Sequence, residues 1–236
     1  MTTVPIQTSF NPNGRKEIKQ AISYADYAIL KSKLLHVMRL DKHSGANGKY
    51  LIRSTYFDNF ENKVLNEKKE GYINRDKYRV RIYGKSSSII NLERKSKRNN
   101  LTFKSKCAIT QNEFEQMRIG DFLWMEKDDR ALIRDLFHEM KYSQLKPMTV
   151  VDYEREAYTY PYGNVRVTFD SKVQSSMRNT DMFNKNLPMI DVLEPNLVIL
   201  EVKYDEYLPD IIKFSLQSVD TRAEAYSKYQ LSRMYC

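Results

Sequence analysis

Cysteine is scarce in this chain: Cys107 and Cys236 are the two among 236 residues. Thiols so far apart in sequence give no disulfide framework, which points to a reducing compartment. Histidine is nearly as scarce. His36, His43 and His138 offer no zinc-ligand spacing with each other or with the cysteines, and no Cys/His nucleophile arrangement. They read as structural residues, and any metal should be a hard cation held by carboxylates. No apolar run approaches the roughly 20 residues of a membrane helix. Met1 to Gly14 lack the apolar stretch of a secretory signal. There is no internal repeat, low-complexity segment or clear linker. These absences lead to the expectation of a soluble, cytoplasmic protein.

Positive charge is plentiful. Lys and Arg number 39 against 30 Asp and Glu, a formal net charge of +9, in a chain whose 41% hydrophobic content suffices for a sizeable core. The excess suits an anionic partner: nucleic acid, a phosphorylated metabolite, polyphosphate or a membrane surface. The plain alternative is a basic, inert surface.

The charges sit in an unusual place. A strand points alternate side chains to opposite faces. In Tyr78-Arg79-Val80-Arg81-Ile82-Tyr83, the two arginines share one face and Tyr78, Val80 and Ile82 the other. Val165-Arg166-Val167-Thr168-Phe169-Asp170 and Leu200-Glu201-Val202-Lys203-Tyr204-Asp205 repeat the pattern. Leu92-Glu93-Arg94-Lys95 and Tyr153-Glu154-Arg155-Glu156-Ala157-Tyr158 are also charged inside strand-like sequence. One such strand is an ordinary half-exposed strand. Five of them suggest a sheet closed around a polar lumen that holds a polyanion.

The remaining periodicity predicts further elements. Strands are expected over 15–20, 50–58, 77–83, 89–97, 103–109, 149–160, 164–170 and 197–204. Helices are expected over 24–38, 62–69, 110–118, 127–142, 209–216 and 222–234. Ser23 with Asp26 and Thr110 with Glu113 resemble capping boxes. Residues 1–14 read as a flexible leader and 15–236 as a single domain. The expected fold class is α+β: an eight-stranded antiparallel barrel with helices outside it, which leaves no sheet edge exposed.

The order of these motifs resembles the VTC-type polyphosphate polymerase domain, within the CYTH or triphosphate tunnel metalloenzyme superfamily. The residues that carry the resemblance begin with Arg15-Lys16-Glu17-Ile18-Lys19 and Arg53-Ser54-Thr55-Tyr56-Phe57-Asp58-Asn59. The charged strands above follow, and Ser227-Lys228-Tyr229 closes the set. The resemblance implies a tunnel that binds a triphosphate and a divalent metal, Mn2+ or Mg2+. It also implies transfer of the terminal phosphoryl of ATP to a growing polyphosphate chain.

By the same resemblance the phosphate-binding residues are Lys19, Arg79, Arg81, Lys95, Lys104, Arg155, Arg166, Lys203 and Lys228. Arg79, Arg81 and Lys203 are the catalytic candidates and Glu201 the metal ligand. Lys106 is an alternative to Lys104, and a salt bridge across the barrel is the alternative role for Glu201. Glu17 and Glu93 read as charge balancers. Glu154 and Glu156 should point away from Arg155, into solvent or the helix layer. Arg15 stands where many tunnel enzymes carry a first glutamate, which removes a metal ligand and fits the VTC branch.

Three other functions stay open: an inorganic triphosphatase on the same barrel, a non-catalytic module that binds polyphosphate or a nucleotide, and nucleic-acid binding. The 17 tyrosines invite the last reading through base stacking. Most of them lie opposite the charges or at helical spacing, which favours core packing. Any membrane partner would be a separate protein.

Overall fold

The computed structural model describes residues 15–45, 47–99, 101–217 and 227–234. The expected leader lies outside the described residues, as does the first part of the helix expected over 222–234.

Ten strands and six α-helices are described. In chain order they are β1 (Lys16–Ser23), α1 (Tyr24–Leu35), β2 (Arg39–Leu40), β3 (Lys49–Asp58), α2 (Lys63–Lys69), β4 (Arg75–Tyr83), β5 (Ile90–Arg98) and β6 (Leu101–Ala108). Then come α3 (Gln111–Ile119), α4 (Ala131–Tyr142), β7 (Lys146–Tyr160), β8 (Val165–Ser175), β9 (Ile190–Asp191), β10 (Leu197–Tyr204), α5 (Asp210–Gln217) and α6 (Lys228–Ser232). The main hydrogen-bonded order is β1-β10-β8-β7-β3-β4-β5-β6. The short β2 pairs with β7, and β9 with β8. The expected α+β class and eight main antiparallel strands are therefore present. The described chain falls into two compact units. One holds Arg53–Val150 and Arg178–Leu187; the other holds the segments up to Ile52, Val151–Met177 and from Pro188 onward.

In the second unit the apolar sides of β1, β8 and β10 meet α1 and α5. Ile22, Val165, Val167, Phe169, Val198, Leu200 and Val202 pack with Tyr27, Leu30, Leu34 and Ile212. The helical spacing of Tyr27, Leu30 and Leu34 puts all three on one face. Burial of Leu30 and Leu34 contributes roughly 1.5–3 kcal/mol each. Ser23 starts α1 by accepting the Asp26 backbone N–H, as its sequence suggested. In the first unit Val80, Ile82 and Leu92 are fully buried, as are Phe114, Met117, Ile133, Leu136 and Phe137. Thr110 and Glu113 form the expected capping box of α3.

Two helix expectations need correction. The helix predicted over 127–142 is a 3-10 turn, Leu123–Lys127, followed by α4. Asp128 accepts from the Arg130 backbone N–H at 2.8 Å, a local side-chain bond that competes with helix continuation. The helix predicted over 24–38 ends at Leu35, where His36 and Val37 close a tighter last turn onto Lys33 and Leu34.

Because one side of each long strand is committed to these cores, register fixes which charges gather on the other side. Lys19 stands opposite Glu201, Lys203 opposite Arg166, and Arg155 opposite Asp170. In the first unit Arg79 stands opposite Glu93.

Candidate functional site

Each unit carries one charged cluster on the side of its strands away from its apolar core. In the first unit the centre is Glu93 on β5, 2% exposed. Arg79 reaches it with Nη2 at 2.7 Å, Arg81 with Nη1 at 3.7 Å and Lys104 with Nζ at 2.6 Å. Arg79 also donates from Nε at 2.8 Å, so two donors of its guanidinium converge on one oxygen, Glu93 Oε2. Arg81 donates from Nε to Ser54 Oγ at 3.3 Å, and Arg79 from Nη1 to Tyr56 Oη at 3.4 Å. Three cations therefore surround one carboxylate.

Burial works to raise the Glu93 carboxyl, but Arg79, Arg81 and Lys104 outweigh it and hold the group well below the usual carboxylate range. Lys104 shifts the other way. Desolvation first, then repulsion by Arg79 and Arg81, overcomes Glu93 and brings its ammonium down to about 8.

The second unit gathers Lys19, Arg155, Lys203 and Lys228 around Glu201 and Asp170. Lys203 lies 2.5 Å from Glu201 Oε1, Lys19 3.4 Å from Oε2 and Arg155 3.9 Å from Oε2. Arg155 also grips Asp170 with two donors, Nε at 2.6 Å and Nη2 at 2.7 Å. Lys228, brought in by α6, pairs with Asp170 Oδ2, the oxygen that also accepts from Arg155 Nη2, and lies 4.5 Å above the Tyr153 ring. Asp170 is fully buried, and Glu201 and Lys228 nearly so. Here four cations surround two carboxylates.

Burial opposes ionisation of Glu201, yet Lys19, Lys203 and Arg155 keep it well below its ordinary value. Burial, then Lys19 and Arg155, lowers Lys228 to about 8 against the pull of Asp170 and Glu201.

Both clusters thus hold more positive than negative charge under partial or full burial. Such an excess is costly without an anion to balance it. Lys104 and Lys228 bind fewer protons in the folded state than unfolded at pH values between about 8 and the ordinary lysine range. Stability rises with pH wherever the unfolded state holds more protons. The buried Cys107 thiol and the Tyr27, Tyr78 and Tyr158 hydroxyls are pushed upward by burial and oppose this gain as pH nears 10, so the thermal midpoint of the ligand-free protein should climb from pH 8 to about pH 9 in differential scanning calorimetry. A monotonic fall over that window would contradict the cluster electrostatics.

Sequence reasoning placed most of these residues. Arg79, Arg81 and Lys104 come together, as do Lys19, Arg155, Lys203, Lys228 and Glu201. Lys104, rather than Lys106, reaches Glu93. Glu93 balances charge, as expected, and Glu156 turns into the helix layer, where Tyr27 and Tyr158 donate to it at 2.6 and 2.5 Å. Arg166 makes a different set of contacts: its Nη1 lies 2.5 Å from Asp41, and Nη2 donates to Tyr50 Oη at 3.1 Å. Lys95 stands between Lys77 and Lys104 across the strands. Arg15 pairs with Asp205 at 3.0 Å and donates to the Asn164 carbonyl, so its charge ties strand ends together. Asp170 was missed. Its signal was parity: it shares a strand face with Arg166, two positions beyond Thr168.

A profile of the VTC domain matches residues 14–235. The chain belongs to the VTC domain family. No curated protein sequence matches it. Among solved structures, this VTC domain is similar to a putative adenylate cyclase from Bacillus halodurans, at 14% identity and a TM-score of 0.54, over 92% of this chain and 96% of that one. Another putative adenylate cyclase, from Vibrio parahaemolyticus, aligns at 8% identity and a TM-score of 0.46, over 93% and 99% of the two chains. The first likeness shows that the VTC domain shares the fold of that protein.

Among the described residues no three His, Cys, Asp or Glu side chains gather as a metal site. One buried carboxylate, Glu201, fits a small hard cation that takes its other ligands from phosphate and water. Also among the described residues, no helix is long and apolar enough to cross a membrane.

Proposed function

We propose that this VTC domain is a metal-dependent polyphosphate polymerase that transfers the terminal phosphoryl group of ATP to a growing polyphosphate chain. Family and fold support a triphosphate- or polyphosphate-related phosphotransferase or triphosphatase. The observation that carries the finer reading is the excess of cations in both clusters, three around Glu93 and four around Glu201 and Asp170.

Phosphoryl transfer needs positioning and charge stabilisation more than covalent help from the protein. Arg79, Arg81, Arg155 and Arg166 offer planar forks for phosphate oxygens, while Lys19, Lys95, Lys104, Lys203 and Lys228 supply point charges. The family resemblance assigns Arg79, Arg81 and Lys203 to the charge that develops on the transferred group. Glu201 would hold Mn2+ or Mg2+, which supplies Lewis-acid neutralisation of the triphosphate. A terminal oxygen of the chain attacks the γ-phosphorus, the bond to the bridging β,γ-oxygen breaks, and ADP leaves.

Purified protein with ATP and Mn2+ should yield ADP and long polyphosphate in equal phosphoryl amounts, resolved by gel electrophoresis and chromatography. Release of orthophosphate from ATP or tripolyphosphate without polymer would establish the triphosphatase instead. Tight polyphosphate binding with no turnover would establish a binding module. Cytoplasmic location and a separate membrane partner belong to the same proposal.

A further inference from the structure

Lys104 and Lys228 are alike in charge chemistry and unlike in access. Burial and neighbouring cations bring both ammonium groups down to about 8. The Lys228 side chain is sealed in, 5% exposed, whereas 48% of the Lys104 side chain stays open to solvent. A lysine attacks only as the neutral amine, and desolvation beside other cations is what favours that form. Lys104 therefore combines an activated amine with an open approach.

The groups around it supply a docking point for a reagent. Lys104 Nζ meets Glu93 Oε1 at 2.6 Å, and Arg79 Nη2 meets Oε2 of the same carboxylate at 2.7 Å. Arg81 Nη1 lies 3.7 Å from Oε2. The amine and two guanidinium groups thus converge on a single carboxylate. Guanidinium groups suit phosphate oxygens. A phosphate on Arg79 and Arg81 brings the group it carries to the Lys104 amine, which is catalysis by proximity. Lys106 is the natural comparison. It is exposed on the same face of β6, but Lys104 is the lysine that reaches Glu93.

We propose that Lys104 is an acylation site for acyl phosphates, the mixed anhydrides of a carboxylic acid and phosphoric acid. The phosphate docks on Arg79 and Arg81, and the neutral Nζ attacks the acyl carbon, one bridging oxygen away from phosphorus. The N–C bond forms and the bond from the acyl carbon to the bridging oxygen breaks. Orthophosphate leaves with that electron pair and takes up the proton lost by the amine. The product amide carries no charge. Two cations instead of three then surround Glu93, and the hold of the cluster on a polyanion weakens. The site goes beyond the functional reading above and rests on one part of it, that Arg79 and Arg81 take phosphate.

The test incubates wild type with acetyl phosphate and follows acetylation of each lysine by peptide mass spectrometry. Lys104 should react about tenfold faster than Lys106, and Lys228 should stay unmodified. Tripolyphosphate should remove the lead of Lys104, and so should Arg79→Ala. The N-hydroxysuccinimide ester of acetic acid carries no phosphate, so its preference for Lys104 should be several times smaller. Equal rates at Lys104 and Lys106, a lead that tripolyphosphate leaves untouched, or the same lead with both reagents overturns the site. If tripolyphosphate binds wild type while Lys104 reacts no faster than Lys106, the acylation site falls and the functional reading stands. If tripolyphosphate does not bind at all, both fall.

Discussion

Asp170→Asn should destabilise the ligand-free protein by about 4–5 kcal/mol, the upper range for breaking a buried ion pair. Asp170 is fully buried, and it alone holds Arg155 by two short bonds while also pairing with Lys228. Burial opposes its ionisation, but Arg155 and Lys228 dominate and keep it charged far below ordinary carboxylate pH. Asparagine keeps the shape and removes the charge, leaving two buried cations with Glu201 as the remaining carboxylate of the cluster. For a chain of this length the loss corresponds to a drop of the order of 10 °C in melting temperature. Tripolyphosphate should restore more of the midpoint in the variant than it adds to wild type, because a bound anion balances the exposed excess. A loss under about 1 kcal/mol in urea titration would show that Asp170 does not hold the cluster together.

Arg79→Ala should have the opposite profile. Turnover should fall by about a hundred- to a thousandfold, the range seen when a charge-stabilising donor is removed. The melting temperature of the ligand-free protein should hold steady or rise. Glu93 keeps Arg81 and Lys104 after the substitution, so the carboxylate stays paired while the positive excess shrinks. Arg81→Ala should behave alike, since Arg79 and Lys104 remain. A fall in melting temperature as large as that expected for Asp170→Asn would mean that Arg79 is a structural residue. Unchanged turnover would remove it from the reaction. Steady-state rates set beside calorimetry separate these outcomes.

Much of this was legible before any coordinates. The alternation in Tyr78–Tyr83, Val165–Asp170 and Leu200–Asp205 fixes which side chains share a face, because strand periodicity leaves no freedom once one face is apolar. Helix α1 was legible from Tyr27, Leu30 and Leu34, and α3 from the Thr110–Glu113 cap. Helix α4 was misplaced at its start because Asp128 bonds its own neighbourhood, a local competition that hydrophobic periodicity does not report. The two-residue strands β2 and β9 carry no pattern at all, and pairing with β7 and β8 alone defines them.

The candidate site divides in the same way. Arg79, Arg81, Arg155, Glu201 and Lys203 follow from parity and motif order. Asp170 was passed over because a carboxylate at a strand's end looks like a solvated terminus until its neighbours are known. Lys104 and Lys106 could not be separated by sequence, and the reach of Lys104 to Glu93 separates them.

The amino-acid order by itself determined the family, the strand faces and the surplus of positive charge, since each depends only on residue type and spacing along one chain. Which carboxylate meets which cation, and that Asp170 rather than Glu201 anchors Arg155 and Lys228, was decided by tertiary structure. Those pairings join residues as far apart in sequence as Asp170 and Lys228, and only strand register and the docking of α6 bring such side chains within reach.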